Sequence, residues 1–164
     1  MVLLGVLVCL LYYVPAKNGE RTISGIKPPS RLNDPGLAYA YQFSSGFCNN
    51  GEGEQGGCYA YMYLYDSGKF VKESGFVRSD DTVDVHPTIE RDFSGPIAEG
   101  IIDKIRRTGV LGKNCPETPI EDADYFYQVN IDGVKKSFSN PPPDCKYDLD
   151  SVLDLINATV NYRE

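Results

Sequence analysis

The chain of 164 residues carries one imidazole, His86, so any Ser–His or Cys–His nucleophile would have to use it. No nucleophile elbow and no Cys/His signature accompanies it, and a polar strand or loop histidine is the simpler reading. Asp80-Asp81-Thr82-Val83-Asp84 gathers carboxylates that could face calcium. It lacks the glycine and terminal glutamate of a helix-loop-helix site and reads as a solvated acidic loop, as do Glu121, Asp122 and Asp124. With no CxxC pair and a single histidine, zinc is not expected. No catalytic residue, metal or cofactor is therefore assigned. Paired-carboxylate hydrolysis stays as a third-ranked function, because two acids need only meet in space. Asn157-Ala158-Thr159 matches the N-glycosylation pattern but falls inside an expected helix.

The remaining residues of chemical interest are cysteines, a loop and tyrosines. Outside the first sixteen residues there are four cysteines: Cys48, Cys58, Cys115 and Cys145. An even number in a small exported chain reads as a disulfide framework. Three connectivities are possible, and Cys48–Cys58 with Cys115–Cys145 is preferred. Between the first pair runs a Gly-rich, acidic loop over residues 49–57, in which Asn49, Asn50, Glu52, Glu54 and Gln55 are candidate partner contacts. Tethering such a loop lowers the entropy cost of docking it; the alternative is a mobile connection that binds nothing. Tyr59, Tyr61 and Tyr63 join the candidate contacts. If their face is uncovered it is a rigid amphipathic surface of the kind interfaces favour; if it meets helices it is core.

These residues need elements to hold them. Leu37 to Phe47 alternates, with Tyr39, Tyr41 and Phe43 on one side, and Cys58 to Asp66 alternates more strictly. Period two with aromatic enrichment predicts strands. Asp66-Ser67-Gly68-Lys69 is a turn, Phe70 to Val77 a third strand, and Val83 to Asp92 a weaker fourth. Ser94-Gly95-Pro96 then starts a helix, with Ser94 as cap; Ile97, Ile101, Ile102 and Ile105 share its face, and Gly109 takes the left-handed stop. Residues 110–121 form a loop. Tyr125 to Ile131 and Val134 to Ser139 form a hairpin about Asp132-Gly133, which favours a type I′ turn. A stiff polyproline segment over 140–143 precedes a helix from Asp148 to Val160, with Leu149, Val152, Leu153, Ile156 and Val160 inward. The sum is an α+β domain: an antiparallel sheet of about five to six strands, two helices packed on one face, and a loose ββα duplication.

Composition bounds the rest. An apolar fraction of 41% with 12 Tyr and 7 Phe suffices for a core. Met1–Ala16 is almost wholly apolar and too short to span a bilayer, which predicts a signal peptide or membrane anchor. No Lys or Arg precedes it, which points to a basic n-region upstream of Met1. The basic residues that follow would by the positive-inside rule hold the domain inside, and the cysteines argue the other way. Residues 17–36 read as a linker or stalk with four basic side chains against Glu20 and Asp34. Residues 37–164 form one domain with twelve basic against twenty-one acidic side chains. That acidity repels a phosphate backbone, so nucleic acid is not a partner. Membrane contact is expected only through the N-terminal segment, and the domain is placed outside the cytoplasm, secreted or anchored.

From Tyr59 through Val160 the chain resembles small exported domains of the emfourin type of metalloprotease inhibitor. The resemblance rests on the order and spacing of "YMYLYDSGKF", "PIAEGIIDKIRRTG", "DADYFYQVNIDGVKKSF" and "LDSVLDLINA". It implies a compact antiparallel sheet with helices and a non-enzymatic role against a protease; the four cysteines and the Gly-rich loop are departures from it. The expected function is an exported, non-enzymatic protein-binding module, with inhibition of a secreted protease as its role and a structural cell-surface or envelope domain as the alternative.

Overall fold

A computed structural model describes residues 31–51, 53–119 and 123–161. The expected leader Met1–Ala16, most of the expected linker, Glu52, Glu121 and Asp122 lie outside the described residues. A 3-10 turn at Arg31–Asn33 is followed by β1 (Leu37–Asn49), β2 (Gln55–Tyr65), β3 (Lys69–Val77), β4 (Val83–Val85), β5 (Ile89–Asp92) and α1 (Gly95–Thr108). A second 3-10 turn at Val110–Gly112 leads to β6 (Ala123–Ile131), β7 (Val134–Ser139) and α2 (Pro143–Asn161). All pairings are antiparallel, in the order β4-β3-β2-β1-β6-β7, with β5 also on β3. The α+β class and the antiparallel sheet are as the periodicities predict.

The turns form where the sequence places them. Asp132 and Gly133 take φ of 53° and 76° between the paired Ile131 and Val134, as a type I′ hairpin requires. Gly68 (φ 88°) closes β2–β3, and its carbonyl accepts from Phe93 N. A Cβ there would lie 2.5 Å from the Phe93 carbonyl, so only glycine lets the chain entering α1 come this close. In α1 the cap works differently from the expectation: the Ser94 side chain makes no capping bond, and its carbonyl instead receives Ile97 N and Ala98 N. At the other end Gly109 stops the helix at φ 66°, as expected.

Three boundaries are corrected. The weak fourth strand is two, β4 and β5, because Pro87 has no N–H to continue a ladder. The second helix begins at Pro143, five residues before Asp148, since a proline in the first turn forfeits no helical bond. The domain reaches back to Arg31: its guanidinium pairs with Glu73 (2.9 Å), Leu32 O accepts from Gln128 Nε2 (2.7 Å), and Asp34 accepts from Tyr65 OH (2.8 Å). Those bonds tie 31–34 to β2, β3 and β6, where composition alone predicts linker.

Two apolar clusters form, and strand alternation sorts residues between them. One joins Tyr39, Tyr41, Met62, Leu64, Phe70, Tyr127, Val129 and Phe138 of the strands with Ile101 and Ile105 of α1 and Leu149, Val152 and Ile156 of α2. Two phenols pin α2: Tyr39 OH donates to Leu149 O (3.0 Å) and Tyr127 OH to Asp150 Oδ1 (2.6 Å). The other cluster holds Leu37, Ala40, Tyr59, Tyr61, Tyr63 and Val71, with Leu32 and Tyr65 against it. Asn140, buried at φ 41°, ends β7 in an unusual way. Its N–H bonds Tyr125 O, while its side-chain Oδ1, in place of its own carbonyl, accepts Tyr125 N (2.8 Å). The freed carbonyl takes Thr118 N and Oγ1.

Candidate functional site

β1 pairs with β6 only as far as Ser45↔Ala123; beyond that, among the described residues, its ladder partner is β2 alone. Residues 46–56 thus form an arm of two strands at the end of the sheet. Its register steps between Ser45↔Cys58 and Cys48↔Gly56, so that Gly46 and Phe47 stand opposite the single residue Gly57. This is a bulge, and a bulge re-aims the side chain it carries. Phe47 N donates to Ser45 Oγ (3.1 Å), which fixes the kink, and the Phe47 ring is left 83% exposed. The Cys48–Cys58 disulfide bridges the same step. Phe47 carries no motif; the only hint in the sequence was an aromatic between Gly46 and a bonded cysteine.

The tip is more ordered than its composition predicts. Asn49 and Gln55 are paired strand residues and Gly56 and Gly57 belong to β2, so the nine-residue loop of the sequence reading shrinks to residues 50–54. Asn50 N donates to Glu54 O, Glu54 N to Asn50 Oδ1, and Gly51 N to Asn49 Oδ1 (2.8 Å). Gly51 and Gly53 supply the positive φ values that this tight reversal needs. Glu54 then binds Arg78 (2.6 Å), which also holds Asp84 (2.6 Å). Arg78 thereby links the tip to the β3–β4 turn, and the Asp84 hydrogen bond lifts its basicity above the ordinary arginine value. Asp80 caps that turn by accepting Thr82 N and Oγ1, which holds its carboxyl below the usual range. At the base of the arm, a Cβ on Gly56 would meet Val77 O at 2.2 Å and the Phe76 ring at 2.7 Å, so three strands are locked edge to edge.

Tyr59, Tyr61 and Tyr63 are buried in the second cluster, 8%, 5% and 0% exposed, and do not offer a contact surface. Nor are they core against helices: the parity of β2 gives Met62 and Leu64 to the helix-containing cluster instead. Burial raises the phenol of Tyr63 to about 12, and raises those of Tyr59 and Tyr61. The structure therefore brings Asn49, Asn50, Glu54 and Gln55 together at the tip and removes the three tyrosines from it. Phe47, Arg78 and Asp84, which the sequence reading did not select, complete the surface.

The chemical candidates sit apart. His86, exposed just after β4, has its Nδ1 3.2 Å from Ser74 Oγ of β3. No carboxylate partner for the imidazole accompanies that pair among the described residues. A recess of about 340 Å³ lies at the opposite end of the sheet, bordered by Asp66, Ile102, Arg106 and Asp132. Its one cation is saturated: Arg106 makes a bidentate pair with Asp132 (2.9 and 2.8 Å) and a further bond to Asp103 (2.7 Å). Among the described residues no group of three His, Cys, Asp or Glu could hold a metal ion, and no helix is long and apolar enough to cross a membrane.

Comparison with protein-family models and with curated proteins finds no match to this chain.

Proposed function

We propose that this chain is an exported, non-enzymatic binding module that engages a protein partner through the β1–β2 arm, with a secreted protease as the partner class. In this reading both helices cover one face of the sheet, in two loose strand–strand–helix units, and leave the arm free. The observation that carries the reading is Phe47: a large apolar side chain held in solvent on a bulge beside a disulfide, above a hydrogen-bonded loop. Exposing that ring contributes nothing to folding, whereas an aromatic anchor on a preorganised support is what a binding hot spot uses. Two disulfides fit an oxidising compartment outside the cytoplasm. The resemblance to exported metalloprotease inhibitors supports the partner class.

The experiment is inhibition of a panel of secreted metallo-, cysteine and serine proteases by the full chain with its disulfides intact. Inhibition of one class is expected. Phe47→Ser should then weaken it by about 2 kcal/mol, roughly thirty-fold, while the unfolding midpoint stays put. No inhibition of any class refutes the protease reading; inhibition unchanged in Phe47→Ser refutes the arm as the contact.

A further inference from the structure

We propose that the outer edge of β7 is a second docking site, which takes an extended acidic segment of a protein partner as an added strand. The hairpin register fixes which groups face outward. Ile131↔Val134 flanks a two-residue type I′ turn and is a hydrogen-bonded pair, so Val129↔Lys136 and Tyr127↔Phe138 are as well. The Asn140 N bond to Tyr125 O continues the same phase. The N–H and C=O groups of Lys135 and Ser137 therefore point away from β6. No main-chain partner meets them among the described residues, and both residues are exposed. On the opposite side of the sheet β4 and β5 are three and four residues long and interrupted at Pro87, so that edge offers no continuous template.

Charge selects the occupant. Lys135 and Lys136 lie on opposite faces of the strand, because side chains alternate. Among the described residues both ammonium groups have neutral partners: Lys135 has Leu32 O and Asn33 Oδ1, each at 3.1 Å, and Lys136 has the carbonyls of Leu111 and Lys113 and the face of the Phe138 ring. Among the described residues an otherwise acidic domain thus carries, beside a long open edge, two cations without carboxylates. A second copy of the chain fits poorly, since antiparallel β7–β7 pairing sets the lysines of both copies against each other. A strand with acidic side chains on both faces gains main-chain bonds and two charge pairs.

The test uses the isotopically labelled full chain with disulfides intact, and a capped synthetic peptide of alternating valine and glutamate as the probe. The expected result is slowed hydrogen exchange and shifted amide resonances at Lys135 and Ser137, strengthening as salt is lowered. The same peptide with lysine for glutamate should not bind. Ser137→Pro removes an outward N–H and no ladder bond, and should weaken binding at least about five-fold. Lys135→Glu, at an exposed position, should reverse the preference between the two peptides. Shifts confined to other surfaces, equal binding of the lysine peptide, or binding unchanged by both substitutions would overturn the proposal. So would protection of this edge by concentration-dependent self-association without peptide.

Discussion

Raising the pH should unfold this protein in one steep step, and the structure sets how steep. Tyr39, Tyr63 and Tyr127 are 0% exposed and Tyr41 is 9% exposed. Burial is the main cause that lifts all four phenols, Tyr63 to about 12, Tyr41 and Tyr127 further, and Tyr39 well above its ordinary value. The neighbouring carboxylate of Asp150, which accepts the Tyr127 hydroxyl, adds to the rise there. An unfolded chain ionises its tyrosines near pH 10. The folded values lie above the unfolded one, so the stability these groups confer is whole below about pH 10 and drains away as the pH rises beyond it. Each phenol costs about 1.4 kcal/mol for the first full pH unit above that value. Four together remove about 5 to 6 kcal/mol by about pH 11, comparable with the lower part of the usual stability range for a domain. The assay follows phenolate absorbance and far-ultraviolet circular dichroism together, with brief exposure and a thiol assay to show the disulfides intact. Both signals should change together in one transition that involves about four protons. Tyr127→Phe should lower that number by about one. Phenolate absorbance that rises smoothly through about pH 10, with the dichroism unchanged, would mean the phenols meet solvent and would refute the reasoning.

Asn140→Ala removes the acceptor of Tyr125 N and places a Cβ-bearing residue without a polar side chain at φ 41°; a loss of about 2–4 kcal/mol in denaturant unfolding is expected. Gly56→Ala drives a Cβ into the Val77 carbonyl and the Phe76 ring, and should cost about 2 kcal/mol or more, with heteronuclear spectra showing the change concentrated in β2, β3 and the arm. Replacing both Cys115 and Cys145 by alanine removes the covalent tie between α2 and the loop that joins α1 to β6, and should lower stability by about 2–4 kcal/mol by thermal or chemical unfolding.

Local patterns were enough for much of this fold because they are read over a few residues. Asp132-Gly133 specifies its own turn, and Gly109 its own helix stop, whatever lies beyond them. Cys48 and Cys58 flank a short connection, which made their pairing the natural choice, and the bridges found are the preferred ones. The readings that failed depended on groups distant in sequence. Residues 31–34 look like linker until Gln128, Glu73 and Tyr65 arrive to bind them. Phe47 closes the alternating run of β1 with nothing local to set it apart, and only the pairing, which puts an extra residue opposite Gly57, shows the bulge that carries it.

By itself the sequence determined the class of the domain, the position of its turns, the helix at 95–108 and a chain held together by paired cysteines. Each of those follows from backbone propensity, from side-chain period or from proximity along the chain. The tertiary structure alone decided which tyrosines were buried together and which large apolar side chain was left in solvent. Alternation says that Tyr59, Tyr61 and Tyr63 share a face but not which face, since a slip of one residue exchanges the two. The register of β2 against β1 and β3 resolved it, burying those rings with Leu37 and Val71 and giving Met62 and Leu64 to the helices. A single bulge in the same pairing then set Phe47 in solvent.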